Sequence, residues 1–216
     1  MLFNQAVHEY ISIRYKAGKL LNSTDIKGSD EYEIAARCAA YQMQAAGNFN
    51  PEIHTAEWIT QEIHKYCPQN IVAKLSKKDA ASDYVRRIQE QYGKISGYTQ
   101  KEAQVAYLET VQEWTYYGCQ WFDISQKAIP SLTPKLLLGV NAEGIFLARP
   151  DNMRQEKFWN YMEVVNWGSA SVKFVVVVGN MNQQEKLIFK TTRGGKIAEL
   201  IQRYILYEYN ATSGQI

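Results

Sequence analysis

The residues able to do chemistry are few and scattered. Three histidines, His8, His54 and His64, and three cysteines, Cys38, Cys67 and Cys119, lie far apart along 216 residues. None falls at a zinc-ligand spacing or in a metalloprotease helix motif, so no metal site is expected. Arg193-Gly-Gly-Lys196 combines glycines with a cation but lacks the spacing of a phosphate-cradling loop. No Gly-x-Ser-x-Gly nucleophile elbow occurs, and Glu31/Glu33 and Glu109/Glu113 read as solvated helix faces. These residues predict no catalytic group and no cofactor: the chain reads as a binding module, not an enzyme. The binding chemistry left is cationic and aromatic. Lys186, Lys190, Arg193, Lys196 and Arg203 gather in sequence about the last strand and the start of the last helix. Backbone amides at a helix start favour an anion, so an anionic lipid headgroup or acidic peptide is one reading of this group and a solvated strand face is the other. Lys74-Leu-Ser-Lys-Lys78 and Arg86-Arg87 suggest a second, weaker patch.

The elements that must position these residues fall into two halves. In the first, apolar residues recur at helical spacing: Phe3, Ala6, Val7, Tyr10 and Ile11, then Tyr32, Ala35, Ala36, Ala39 and Met43, the second stripe opened by Ser29 or Asp30. Trp58, Ile59 and Ile63 predict a short helix stopped by Pro68. A further helix through Ala81, Tyr84, Val85, Ile88 and Tyr92 is expected to end at Gly93. Thr99-Gln-Lys-Glu102 is a capping box, followed by a helix through Ala103, Tyr107, Leu108, Val111 and Trp114 and a stop at Gly118.

The period then changes. Short alternating segments, 120–125, 135–140, 145–149, 157–161, 164–168, 172–178 and 186–191, are separated by turn-forming Asn141-Ala-Glu-Gly144, Arg149-Pro-Asp-Asn152 and Gly179-Asn-Met-Asn182. A last amphipathic helix carries Ile197, Leu200, Ile201, Tyr204 and Ile205. The expected fold class is α+β in two lobes, a helical bundle over 1–117 and a seven-stranded sandwich with a C-terminal helix over 118–216. The Phe174-Val-Val-Val-Val178 run is far shorter than the roughly 20 residues of a membrane-spanning helix. The start has neither a basic nor a hydrophobic leader segment, and the odd cysteine count fits reduced thiols, which predicts a cytoplasmic protein. Residues 1–119 hold 13 Lys+Arg against 14 Asp+Glu and 120–216 hold 11 against 8, a balance too mild for a nucleic-acid binder.

Several segments resemble FERM domains. Ala39-Ala-Tyr-Gln-Met-Gln-Ala45, Glu102-Ala-Gln-Val-Ala-Tyr-Leu108 running to Trp114-Thr-Tyr-Tyr-Gly118, and Leu136-Leu-Leu-Gly-Val-Asn141 are similar to the second lobe and its junction with the third. Val164-Val-Asn-Trp-Gly-Ser169, Val178-Gly-Asn-Met181 and Phe189-Lys-Thr-Thr-Arg-Gly194 look most like the tail FERM domains of MyTH4-FERM unconventional myosins, with talin-like FERM domains more distant. The resemblance implies an acyl-CoA-binding-protein-like middle lobe and a pleckstrin-homology/phosphotyrosine-binding-like third lobe. Its implied role is to hold cargo adaptors, receptor cytoplasmic tails or the motor's own head at the actin cytoskeleton and membrane cortex; the alternative is a talin- or band-4.1-like linker between membrane proteins and actin. It also implies a peptide groove along Val164, Val165, Asn166, Trp167, Gly168 and Ser169 and the helix face of Ile197, Leu200, Ile201 and Tyr204. In that groove Trp167 is either the aromatic anchor or an ordinary core residue.

Overall fold

The computed structural model describes residues 2–11, 30–47, 54–68, 71–72, 78–127, 129–151 and 153–212. Its contacts divide the chain into two compact units, Met1–Tyr117 and Gly118–Ile216.

The first unit contains helices α1 (Leu2–Ile11), α2 (Asp30–Ala45), α3 (Ala56–Glu62), α4 (Lys78–Lys94) and α5 (Gln100–Val111). On α2 the small residues Ala35, Ala36, Ala39 and Ala40 are almost wholly buried, which lets its backbone approach its neighbours closely. Phe3 of α1 meets the Tyr107 ring of α5 edge-on at 5.2 Å, and Tyr32 of α2 meets Tyr84 of α4 at 4.9 Å. Helix α3 is capped by Thr55, whose hydroxyl accepts from the Trp58 amide at 3.3 Å, and passes through a 3-10 turn, Ile63–Lys65, before Pro68. The capping box at α5 is complete. The Thr99 amide donates to Glu102 Oε2 at 2.7 Å and the Glu102 amide donates to Thr99 Oγ1 at 3.2 Å. Ser29, the alternative cap of α2, lies outside the described residues.

Two boundaries differ from the periodicity. Helix α4 continues through Gly93 to Lys94, because a glycine inside the final turn costs only about 1 kcal/mol against alanine. Helix α5 stops at Val111 instead of running to Trp114. The Trp114 amide bonds back to Val111 O and the Tyr117 amide to Trp114 O, three-residue turns that tuck Trp114 and Tyr117 against the helical core.

The second unit is a seven-stranded antiparallel sheet: β1 (Gln120–Ser125), β2 (Lys135–Val140), β3 (Gly144–Ala148), β4 (Gln155–Asn160), β5 (Val164–Ala170), β6 (Lys173–Gly179) and β7 (Gln184–Lys190). The spatial order is β4-β3-β2-β1-β7-β6-β5. Two meanders, β1–β4 and β5–β7, are joined through one register pair, Ser125 with Lys190, whereas β1 and β2 share six. Tyr161 belongs to a 3-10 turn, Tyr161–Glu163, and not to β4 as its alternation suggests; Asn160 and Glu163 cap that turn reciprocally.

Inward positions Phe122, Ile124, Leu136, Leu138, Phe174, Val176, Leu187 and Phe189 form one core with the C-terminal helix α6 (Gly194–Thr212), which contributes Ile197 and Ile201. At the first hairpin Asn141 Oδ1 accepts from the amides of Glu143 and Gly144, and Gly144 takes φ 154°, where a side chain would collide with the Trp159 carbonyl. The Gln126 side chain is buried and holds the β1–β2 loop. Its amide nitrogen donates to the carbonyls of Ile129, Leu132 and Thr133, and its oxygen accepts from the Ile129 amide.

Candidate functional site

Strand β5 ends the sheet. Among the described residues its one strand partner is β6, which leaves its other edge without a ladder partner. Register fixes which side chains face the helix. Trp167 is opposite Val176 and Ser169 opposite Phe174, both partners buried in the core, so Trp167 and Ser169 share the inner face with α6. A register shift between Val164 and Asn166 bulges the strand and lets Val164 turn inward while Val165 and Asn166 are exposed.

Trp167 occupies the joint between strand and helix. It is half-buried against the core of this unit, as Ala198, Leu200 and Tyr204 of α6 are, and its Nε1–H donates to the Ala198 carbonyl at 3.1 Å. The residue has both a packing role and a solvent-facing part. Leu200 and Tyr204, one helical turn apart, are also half-buried and continue the rim. Tyr204 stacks on Tyr161 at 5.9 Å and 22°, and Tyr161 donates its hydroxyl to the Asn141 carbonyl at 2.5 Å. Burial raises the pKa of both phenols above the ordinary tyrosine range, so they stay neutral at physiological pH. Nothing in the sequence pattern marks Tyr161 as part of this rim, because the contact depends on the 3-10 turn before β5.

Three expected groove residues do not line it. Ile197 and Ile201 are 0% exposed and Val164 is buried, since each belongs to the core beneath the helix. At the N-terminal end of α6 the fit is close. A side chain at Gly194 would come within 2.8 Å of the Lys173 carbonyl and 3.1 Å of Ser169 Cβ.

The five cations do not converge. Lys186 and Lys190 alternate with buried Leu187 and Phe189 and so lie on the outer face of β7, whereas α6 covers the inner face. Lys196 and Arg203 stand on the exposed side of that helix, on the opposite side of the sheet. Arg203 is paired with Glu199, and the Arg193 guanidinium sits 5.0 Å from the centre of the Phe122 ring. The expected cationic patch is therefore divided between the two sides of the sheet. In the helical unit Arg86 pairs with Asp83 and Glu90, and Arg87 with Asp83 and Glu33, which neutralises that pair, while Lys74 and Lys77 lie outside the described residues.

Among the described residues no group of three His, Cys, Asp or Glu side chains could hold a metal ion, and no helix is long and apolar enough to cross a membrane. The arrangement is that of a surface with an open strand edge. The family comparison fits it: the FERM central domain matches residues 20–122 and the PTB domain (IRS-1 type) matches residues 122–208. The chain carries the second and third lobes of a FERM domain. Myosin-VIIa of Drosophila melanogaster is 27% identical over 173 residues, 80% of this chain and 8% of that protein. FERM domain-containing protein B of Dictyostelium discoideum is 24% identical over 213 residues, 93% of this chain and 40% of that protein. In fold, the human Myosin 7b C-terminal MyTH4-FERM domain, solved in complex with the harmonin-a PDZ3 domain, superposes with a TM-score of 0.63 at 21% identity, covering 95% of this chain and 38% of that chain. The chain thus spans less than half the length of these FERM relatives, and what it shares with them is a protein-interaction module.

Proposed function

We propose that this FERM pair of lobes is a non-catalytic cargo- and adaptor-binding module of an unconventional-myosin tail. It links an actin-based motor to receptor cytoplasmic tails, adaptor proteins or the motor's own head at the membrane cortex. The observation that carries the proposal is the open edge of β5 beside the Trp167, Leu200 and Tyr204 rim. An extended peptide added to that edge satisfies its backbone bonds on β5 and places alternate side chains against the rim, which supplies selectivity. The Myosin-VIIa likeness favours a motor tail over the alternative, a talin- or band-4.1-like membrane–cytoskeleton linker. The third lobe holds the docking edge and the reading needs no cofactor or nucleic acid.

The test screens the intact chain against an array of receptor cytoplasmic-tail peptides, with Leu200→Glu and Tyr204→Glu as comparison. Support is a set of peptides bound by the wild type, lost in both variants, and protecting β5 amides from hydrogen exchange. Peptides that bind all three proteins alike, or protection confined to the helical unit, refute the groove.

A further inference from the structure

The outer face of β5–β7, opposite α6, departs from the usual apolar-in, polar-out alternation of an antiparallel sheet. Strand β6 is apolar on both faces: Phe174, Val176 and Val178 are buried inward, while Val175 and Val177 are only half-buried outward. Register sets Val175 beside Gly168 and Ile188, and Ile188 is 44% exposed. A side chain at Gly168 would meet nothing within 4 Å, so this row ends in an open dimple.

Around the apolar centre stand lysines. Lys173 and Lys190 are directly paired across β6 and β7, and Lys186 pairs with Val177 at the other end. The row continues through Ser125 of β1 to Lys135 of β2, at a hollow of about 490 Å³ whose lining includes Lys135, Lys190, Thr191 and Val172 and one carboxylate, Asp123 of β1. No carboxylate occupies an outward position of β5, β6 or β7, and Lys173, Lys186 and Lys190 take part in none of the ion pairs among the described residues.

We propose that this face docks an acidic amphipathic helix of a partner protein, with the helix's apolar stripe on Val175, Val177 and Ile188 and its carboxylates against Lys173, Lys186 and Lys190. Charge complementarity sets the sign of the partner. Its helical form follows from the sheet: the valines at the centre of the face belong to β6, which pairs along its length with β5 on one side and β7 on the other, so its backbone has no ladder groups to offer. A segment lying across them must satisfy its own backbone, as a helix does. The recessed valines and the dimple at Gly168 suit inserted side chains better than a flat bilayer. This surface is separate from the β5–α6 groove and does not rest on it.

The test uses two synthetic helices of about 18 residues with identical leucine stripes, one flanked by Glu and the other by Lys, titrated against the intact chain by fluorescence anisotropy. The acidic helix is expected to bind, weaken as ionic strength rises, and protect side-chain signals of Val175 and Ile188. Lys173→Glu/Lys186→Glu/Lys190→Glu should lose it at least tenfold, gain the basic helix, and melt as the wild type does; Ile188→Ser should weaken both. Equal binding of the two helices by the wild type, unchanged affinity in the triple variant, or signals moved elsewhere would overturn the proposal. So would phosphatidylserine vesicles that bind the chain when the acidic helix does not, which would make the face a membrane contact.

Discussion

Replacing Trp167 tests how the edge strand is held. Trp167→Phe keeps most of the ring but removes the Nε1–H bond to the Ala198 carbonyl, which is 3.1 Å long and partly buried. A net hydrogen bond of this kind contributes about 1 kcal/mol. Trp167→Ala also removes the half-buried ring from its packing against the core of the unit. Full truncation of a buried aromatic costs about 3–5 kcal/mol, so a half-buried one should cost about 2 kcal/mol, and with the lost bond about 3 kcal/mol. In a unit of this size each kcal/mol shifts Tm by about 4–8 °C, so the Phe variant should melt several degrees low and the Ala variant more than about 10 °C low. Circular dichroism melts of the whole chain, with hydrogen exchange resolved to β5 and α6, separate loss in this unit from loss in the helical one. An Ala variant melting within about 2 °C of the wild type would refute the reasoning, because the ring would then contribute nothing to seating β5. The same variant is a poor test of peptide recognition taken alone, since it displaces the strand; Leu200→Glu, at the rim, is cleaner.

Thr99→Ala removes one half of the capping box at α5 and should lower the stability of the helical unit by about 1 kcal/mol in a urea titration. Thr99 holds the Glu102 carboxyl below its usual range, through its amide and then its hydroxyl; that contribution is present above the unfolded value near pH 4.3 and lost as pH falls through the folded one, so Thr99→Ala should flatten the acid limb of the stability profile. Burial pushes the Cys67 thiol up to about 12 and raises Cys38 strongly as well, so neither should react with a thiol reagent in the native chain near pH 8, while both react once it unfolds. Because these folded values are raised, their contribution is complete below about pH 8.5 and the helical unit should lose stability as pH climbs above that. Gly144→Ala forces a side chain into φ 154° against the Trp159 carbonyl and should destabilise the sheet by about 2 kcal/mol or more, read as a lower midpoint in chemical denaturation.

Much of the fold is legible because local signals and tertiary packing agree. Thr99 to Glu102 carries its own capping geometry, Asn141 to Gly144 its own turn, and the alternation of Gln184 to Lys190 its own inner and outer faces. The errors arise where one residue serves two elements. Tyr161 continues the aromatic alternation of β4, yet Asn160 and Glu163 close a turn around it and send its ring to α6. Spacing identifies the apolar stripe of α6 without saying which edge of it stays wet, so it does not separate buried Ile197 and Ile201 from half-buried Leu200 and Tyr204. The cations separate for a related reason. Lys190 and Lys196 are near in sequence, but a strand and the helix that covers it present their exposed cations to opposite sides. The valine run of β6 does not by itself say what its outward residues meet; the register with Gly168 and Ile188 does.

The single pairing of Ser125 with Lys190 bears on how this sheet assembles. The other neighbouring strands are close in sequence and can zip from a tight turn, each step ordering little chain. Bringing β1 to β7 closes a loop of 65 residues for one ladder pair, an entropic demand the ladder cannot meet. The reward must come from α6, whose Ile197 and Ile201 lock into side chains of both meanders at once. Folding should therefore proceed as two early meanders that α6 joins late, and during synthesis the sheet should remain open until Gly194–Thr212 has left the ribosome.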